Sequence, residues 1–153
     1  MKKIILICLD IEGTLISNAV SQIPRPHLYH FLTEVNKLAD LVLYTSVSPT
    51  RTRKIQNLFV DEGVVPDWFG KLDALHPIGT TKPKAVAASY APTASRIFLV
   101  DDQEACIEEI EQDWWVAVHE YLPPYNTDDK ELLRVLGELQ MRCMTCSQLS
   151  NPS

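Results

Sequence analysis

Ile4-Ile5-Leu6-Ile7-Cys8-Leu9 runs directly into Asp10-Ile11-Glu12-Gly13-Thr14-Leu15. An unbroken apolar run this short, rich in Ile and Leu, reads as a strand buried on both faces, the kind found inside parallel sheets. It ends at two carboxylates two residues apart. Gly13 lies beside them and lets the backbone turn sharply. A buried strand that delivers acids at its carboxyl end is the feature from which the rest of the chain is read.

Outward from it, strands alternate with helical patterns. Leu28, Phe31, Leu32, Val35 and Leu38 recur at helical spacing and predict a helix over 26–39, with Pro26 near its start. A second strand follows at 41–44. The next helix spans 49–62, with Ser48 placed to cap it and Gly63 to stop it. A weaker third strand is expected at 68–72. A helix over 82–90 has Thr81 as cap and Pro83 in its first turn. The fourth strand is 97–100, followed by a helix over 103–112. A fifth strand spans 115–118, with Trp114 and Trp115 anchoring it in the core. A long amphipathic helix spans 128–142, with Leu132, Leu133, Leu136 and Leu139 on its apolar face.

Such alternation implies an α/β fold: a mainly parallel five-stranded sheet with helices on both faces. Residues 1–142 are expected to form one domain, and 143–153 a flexible tail. In such sheets ligands bind beyond the carboxyl ends of the strands.

The 153 residues carry 14 basic and 20 acidic side chains, a net charge of −6, and are 46% hydrophobic. That length suits a single domain with one sizeable core. The composition excludes disordered and low-complexity classes. The acidic balance argues against general nucleic-acid binding. No apolar run is long enough to span a membrane, so no membrane partner is expected. Lys2, Lys3 and the apolar run after them lack a signal-peptide cleavage pattern. The four cysteines form no secretory framework, so a reducing cytoplasm is expected. Cys143 and Cys146 make a lone CxxC, a poor zinc site. His27, His30, His76 and His119 show no ligand spacing. Arg51, Arg53 and Lys54 form a small basic cluster that reads first as a solvated helix face.

The polar residues that fall at strand ends make a chemically coherent set. The first strand delivers Asp10 and Glu12, the second Thr45 and Ser46, and the fourth Asp101 and Asp102. Lys82 opens a helix shortly before the fourth strand, and Lys84 competes with it for the same role. Clustered carboxylates repel one another unless a cation joins them. Mg²⁺ suits such oxygen ligands. A metal beside a lysine and a hydroxyl receives the oxygens of a phosphoryl group. One carboxylate can attack phosphorus, and a second can protonate the leaving oxygen and then activate water. The set therefore points to Mg²⁺-dependent phosphoryl transfer from a phosphorylated substrate.

These residues also resemble a known family. Asp10-Ile11-Glu12-Gly13-Thr14-Leu15 is similar to the first motif of the haloacid dehalogenase superfamily of phosphatases. Thr45 resembles its second motif, Lys82-Pro83 its third, and Ile97 to Asp102 its fourth, in the family's order. The resemblance implies a Rossmann-like fold with a minimal cap or none. It implies Asp10 as nucleophile and metal ligand, and Glu12 as acid/base with its backbone carbonyl on the metal. Thr45 and Lys82 would hold phosphoryl oxygens. Asp101 and Asp102 would complete the metal site, one as ligand and one in support. Glu12 departs from the superfamily, most of which has Asp there; the enolase-phosphatase branch resembles this chain in carrying Asp-Ile-Glu-Gly-Thr. Arg25-Pro26-His27-Leu28-Tyr29-His30-Phe31-Leu32, then Tyr44-Thr45-Ser46, resembles the NLI-interacting-factor-like branch. Only about nine residues separate Leu15 from Arg25, so the insertion that reads the polymerase tail in that branch has no room here.

Two rivals follow from the same residues. One is a weakly active or inactive binding or regulatory protein on this fold, suggested by Glu12. The other is a receiver-like phosphoacceptor module. A receiver has its paired acids on the first strand and its lysine after the last, an order opposed by the late Asp101-Asp102 and the earlier Lys82.

Overall fold

The computed structural model describes residues 4–150, with side chains to residue 144. The apolar run becomes β1, Ile5–Leu9, buried at every position. It is the centre of a parallel sheet. β2 (Asp40–Tyr44) and β4 (Arg96–Asp101) flank it, and β3 (Ala74–Leu75) and β5 (Trp115–Ala117) form the edges. The sheet is five-stranded and entirely parallel, as the alternation requires.

Period-two alternation along β1 splits the core. Ile5, Ile7 and Leu9 face a large cluster built with α1 (Leu28–Leu38), α2 (Pro49–Asp61) and α4 (Glu131–Ser150). Leu6 and Cys8 face a smaller one, where Tyr44, Leu99 and Trp114 meet Ala87 of α3 (Lys84–Tyr90). Burial pushes the Cys8 thiol well above its ordinary range, so it behaves as a small apolar group. Ser48 caps α2 by accepting from the Arg51 amide. Gly63, at φ +71°, takes the left-handed turn that follows the helix.

Four expected elements differ. Residues 67–71 form a short 3₁₀ turn rather than a strand, and β3 follows it. Pro66 presets the entry, and the Gln56 amide donates to the Phe69 and Leu72 carbonyls, which are thereby lost to a strand ladder. The helix expected over 103–112 is two 3₁₀ turns, Glu104–Cys106 and Glu109–Trp114. They are divided by Ile107, whose extended backbone buries its side chain. In addition, α3 begins at Lys84. Pro83 is its extended N-cap (ψ 139°), and the Thr81 hydroxyl donates to Glu108 instead of capping. The last helix also runs further than its leucines alone suggested. It starts at Glu131, extends to Ser150 and buries Cys143. Of the expected tail, residues 151–153 lie outside the described residues, as does the Cys146 side chain of the CxxC pair.

Residues 10–27 make a compact loop over the end of β1, fastened by isolated bridges from Ile16 to Glu12 and to Pro24. No further domain covers the carboxyl end of the sheet among the described residues.

Candidate active site

The carboxyl ends of β1 and β4 lie side by side because Leu9 is in register with Val100. Asp10 and Asp101 therefore leave the sheet as neighbours. Lys82, excluded from α3 by Pro83, turns its side chain between them. Its ammonium donates to Asp10 Oδ1 at 2.8 Å and to Asp101 Oδ2 at 2.5 Å. All three side chains are almost wholly buried. Lys84, by contrast, is exposed at the start of α3.

Two further contacts tie in Asp102. Thr14 Oγ1 lies 3.0 Å from Asp10 Oδ2 and 3.0 Å from Asp102 Oδ1. A hydroxyl has one hydrogen and an ionised carboxylate has none, so Thr14 cannot donate to both acids at once. Gln103 supports the rim: its amide N–H donates to Asp101 Oδ1 at 2.9 Å, and its side chain to Asp102 Oδ2 at 2.7 Å. Gly13, at φ +75°, is required here. A Cβ on it would meet Asp102 Oδ2 at 2.4 Å, so only glycine lets the loop pass this close.

The charges do not balance. Burial pushes the Asp10 carboxyl well above its usual range; Lys82 opposes this, while Asp101 and Asp102 add to it. Asp101 is raised for the same first reason, against the pull of Lys82. Burial works against the Lys82 ammonium, but Asp10 and Asp101 together outweigh it and hold its pKa above the ordinary value. Asp10, Asp101 and Asp102 each offer an oxygen within 4.8 Å of the others'. That acid surplus and hard-oxygen donor set fit a divalent cation of the Mg²⁺ type.

These groups line a cavity of about 270 Å³, together with Glu12, Ser46, Cys106 and Glu120. Glu12 Oε2 accepts the Ala19 amide at 2.6 Å, so its carboxylate is tied to the far side of the loop. Thr45 is buried, and its Oγ1 accepts the Val47 amide at 3.0 Å. A larger hollow of about 750 Å³ involves the opposite ends of β1 and β2 and contains none of the seven candidate site residues. Sequence reasoning missed Thr14 and Gln103. Thr14 lay in plain view within the first motif, but nothing local marks a threonine that will span two acids from different strands.

Residues 5–150 match the model of the NLI interacting factor-like phosphatases. The chain belongs to this family. The family is part of the haloacid dehalogenase-like superfamily, in agreement with the parallel sheet and the acids at its carboxyl end. Among curated proteins, none matches. No helix among the described residues is long and apolar enough to cross a membrane.

Proposed function

We propose that the protein is a Mg²⁺-dependent phosphatase that hydrolyses a phosphomonoester through an aspartyl-phosphate on Asp10. The observation that carries this reading is the buried Asp10–Lys82–Asp101 cluster, with Asp102 beside it and acids in excess of cations. Asp10, Asp101, Asp102 and the Glu12 carbonyl are the groups assigned to the ion. Bound there, Mg²⁺ would supply positive charge to the phosphoryl oxygens and neutralise the acid surplus.

Asp10 attacks phosphorus, and the bond to the ester oxygen breaks. Glu12 gives its proton to the departing oxygen, so the product leaves as an alcohol. Water then attacks the aspartyl-phosphate, Glu12 takes its proton, and inorganic phosphate leaves with Asp10 regenerated. Lys82, Ser46 and Thr45 are assigned to the phosphoryl oxygens. The Ala19 amide engages Glu12 Oε2 only, so the transferred proton is assigned to Oε1.

That contact also bears on the second reading, a weakly active or inactive regulatory protein, because it ties the Glu12 carboxylate to the loop. Phosphate release with Mg²⁺ across sugar phosphates, nucleotides and phosphopeptides separates the two. The first reading expects turnover that EDTA abolishes; cation binding without turnover favours the second. A single catalytic domain over 1–142, as the sequence leads one to expect, with an open site would suit large and small substrates alike. The cysteine pattern of the sequence, which forms no secretory framework, is the ground for proposing a reducing cytoplasmic setting.

A further inference from the structure

Arg25 is a fully buried cation that the proposed reaction does not use. It is 3% exposed and makes contacts in three directions. Nε donates to Asp129 Oδ2 at 2.8 Å and Nη2 to Asp129 Oδ1 at 3.1 Å, a forked pair. Nη2 also donates to the His119 carbonyl at 2.8 Å. Nη1 donates to the carbonyls of Gly13 and Thr14, at 3.1 and 3.3 Å. All five guanidinium N–H groups are thus spent. The Tyr121 ring lies against the guanidinium, 5.0 Å from Cζ to centroid, and the Tyr121 amide donates to the same Gly13 carbonyl at 2.8 Å. The Arg25 amide adds a bond to the Leu15 carbonyl at 2.9 Å.

The destination of these bonds is what matters. Gly13 is the residue whose missing Cβ admits Asp102, and Thr14 is the residue whose hydroxyl spans Asp10 and Asp102. Arg25 holds the carbonyls of both. Its opposite end is fixed to Asp129, just before α4, and to His119, just after β5.

We infer that Arg25 is a positioning residue: by clamping the Gly13 and Thr14 carbonyls to Asp129 and His119, it sets the spacing of the Asp10 and Asp102 oxygens and thereby the affinity of the cation site. The inference rests on the cation site of the proposed function. It requires the fork. Lysine keeps the charge but has no planar pair of edges to hold Asp129 and the loop together. Groups that orient metal ligands from behind typically contribute about 10–100-fold to metal affinity or rate.

The test is Mn²⁺ binding by electron paramagnetic resonance, run beside Mg²⁺-dependent kinetics on wild type, Arg25→Lys and Asp129→Asn, each first checked for native circular dichroism. Arg25→Lys is expected to weaken Mn²⁺ at least about tenfold and to lower kcat, with KM for the phosphate ester moving little. Asp129→Asn keeps Arg25 but loosens its anchor, so it is expected to shift Mn²⁺ affinity in the same direction by a smaller factor. If Arg25→Lys fails to fold, Asp129→Asn decides the matter. A folded variant that melts earlier yet binds Mn²⁺ and turns over like wild type overturns the inference and leaves the phosphatase reading standing. A wild type that binds no divalent cation overturns both.

Discussion

Two buried cations hold the loop that follows β1, one from within it and one from outside, and they are built on opposite plans. Arg25 spends all its donors, and its single acidic partner is one-fifth exposed at the side chain. Burial alone would raise the Asp129 carboxyl, but Arg25 outweighs it and holds Asp129 below the usual range. Lys82 faces two buried acids with a third nearby, and Asp10 and Asp101 are pushed up instead. The first cluster is saturated and closed. The second is over-acidic and opens on a cavity. A satisfied buried pair joins parts of a fold, whereas an unbalanced one retains electrostatic capacity for a cation and a phosphoryl group.

The comparison breaks most visibly at Lys82. Lys82→Met leaves Asp10 and Asp101 without their shared donor, and phosphate release is expected to fall at least about a thousandfold. Stability, read by urea titration, is expected to drop by about 3 kcal/mol unless a divalent cation is added. Gly13→Ala is expected to lower turnover about tenfold or more, because a new Cβ displaces Asp102 and forces a left-handed residue. Mg²⁺ titration of the rate reads that displacement as a raised half-saturation.

Asp129→Asn tests the closed cluster by its pH dependence. A carboxylate whose pKa is depressed by folding stabilises the protein above its unfolded value and loses that contribution as pH falls through the folded one. The stability gap between wild type and Asp129→Asn is therefore expected to hold at about 1–2 kcal/mol near neutrality. It should narrow below about pH 4, the ordinary aspartate range. A gap that widens in acid contradicts the assignment. The smallest effect belongs to Lys84→Met. That side chain is exposed and outside the cluster, so activity is expected to stay within about twofold of wild type.

The sheet was legible because β1 announces itself: an apolar run with no polar interruption can only be a central strand here, and the acids that end it mark the functional edge. That the candidate acids from β1 and β4 would meet was legible for the same reason, since strand ends in a parallel sheet converge. Pro83 in the first turn of a helix that opens at Lys82 was the sequence's expectation for this segment. The structure instead makes Pro83 the N-cap, and it is the extended backbone before α3 that frees Lys82 to turn inward. The edge of the sheet was less legible. Residues 68–72 carry aromatic and apolar, strand-like side chains, but Gln56 from α2 claims the Phe69 and Leu72 carbonyls, a tertiary contact that no local pattern reports. Arg25 was visible only as part of a family-like stretch. Its five bonds reach residues 11 to 104 positions away, and such a convergence is written in the fold rather than in any window of sequence.

The central claim is that Asp10 carries the phosphoryl group. Acid-quenching the protein during turnover, reducing it with borohydride and sequencing the peptide around residue 10 tests this directly. Borohydride converts an aspartyl-phosphate to homoserine. Homoserine at position 10, dependent on substrate and Mg²⁺ and absent from Asp10→Asn, is the predicted result. Turnover without any modification at Asp10, or turnover that survives in Asp10→Asn, contradicts the account.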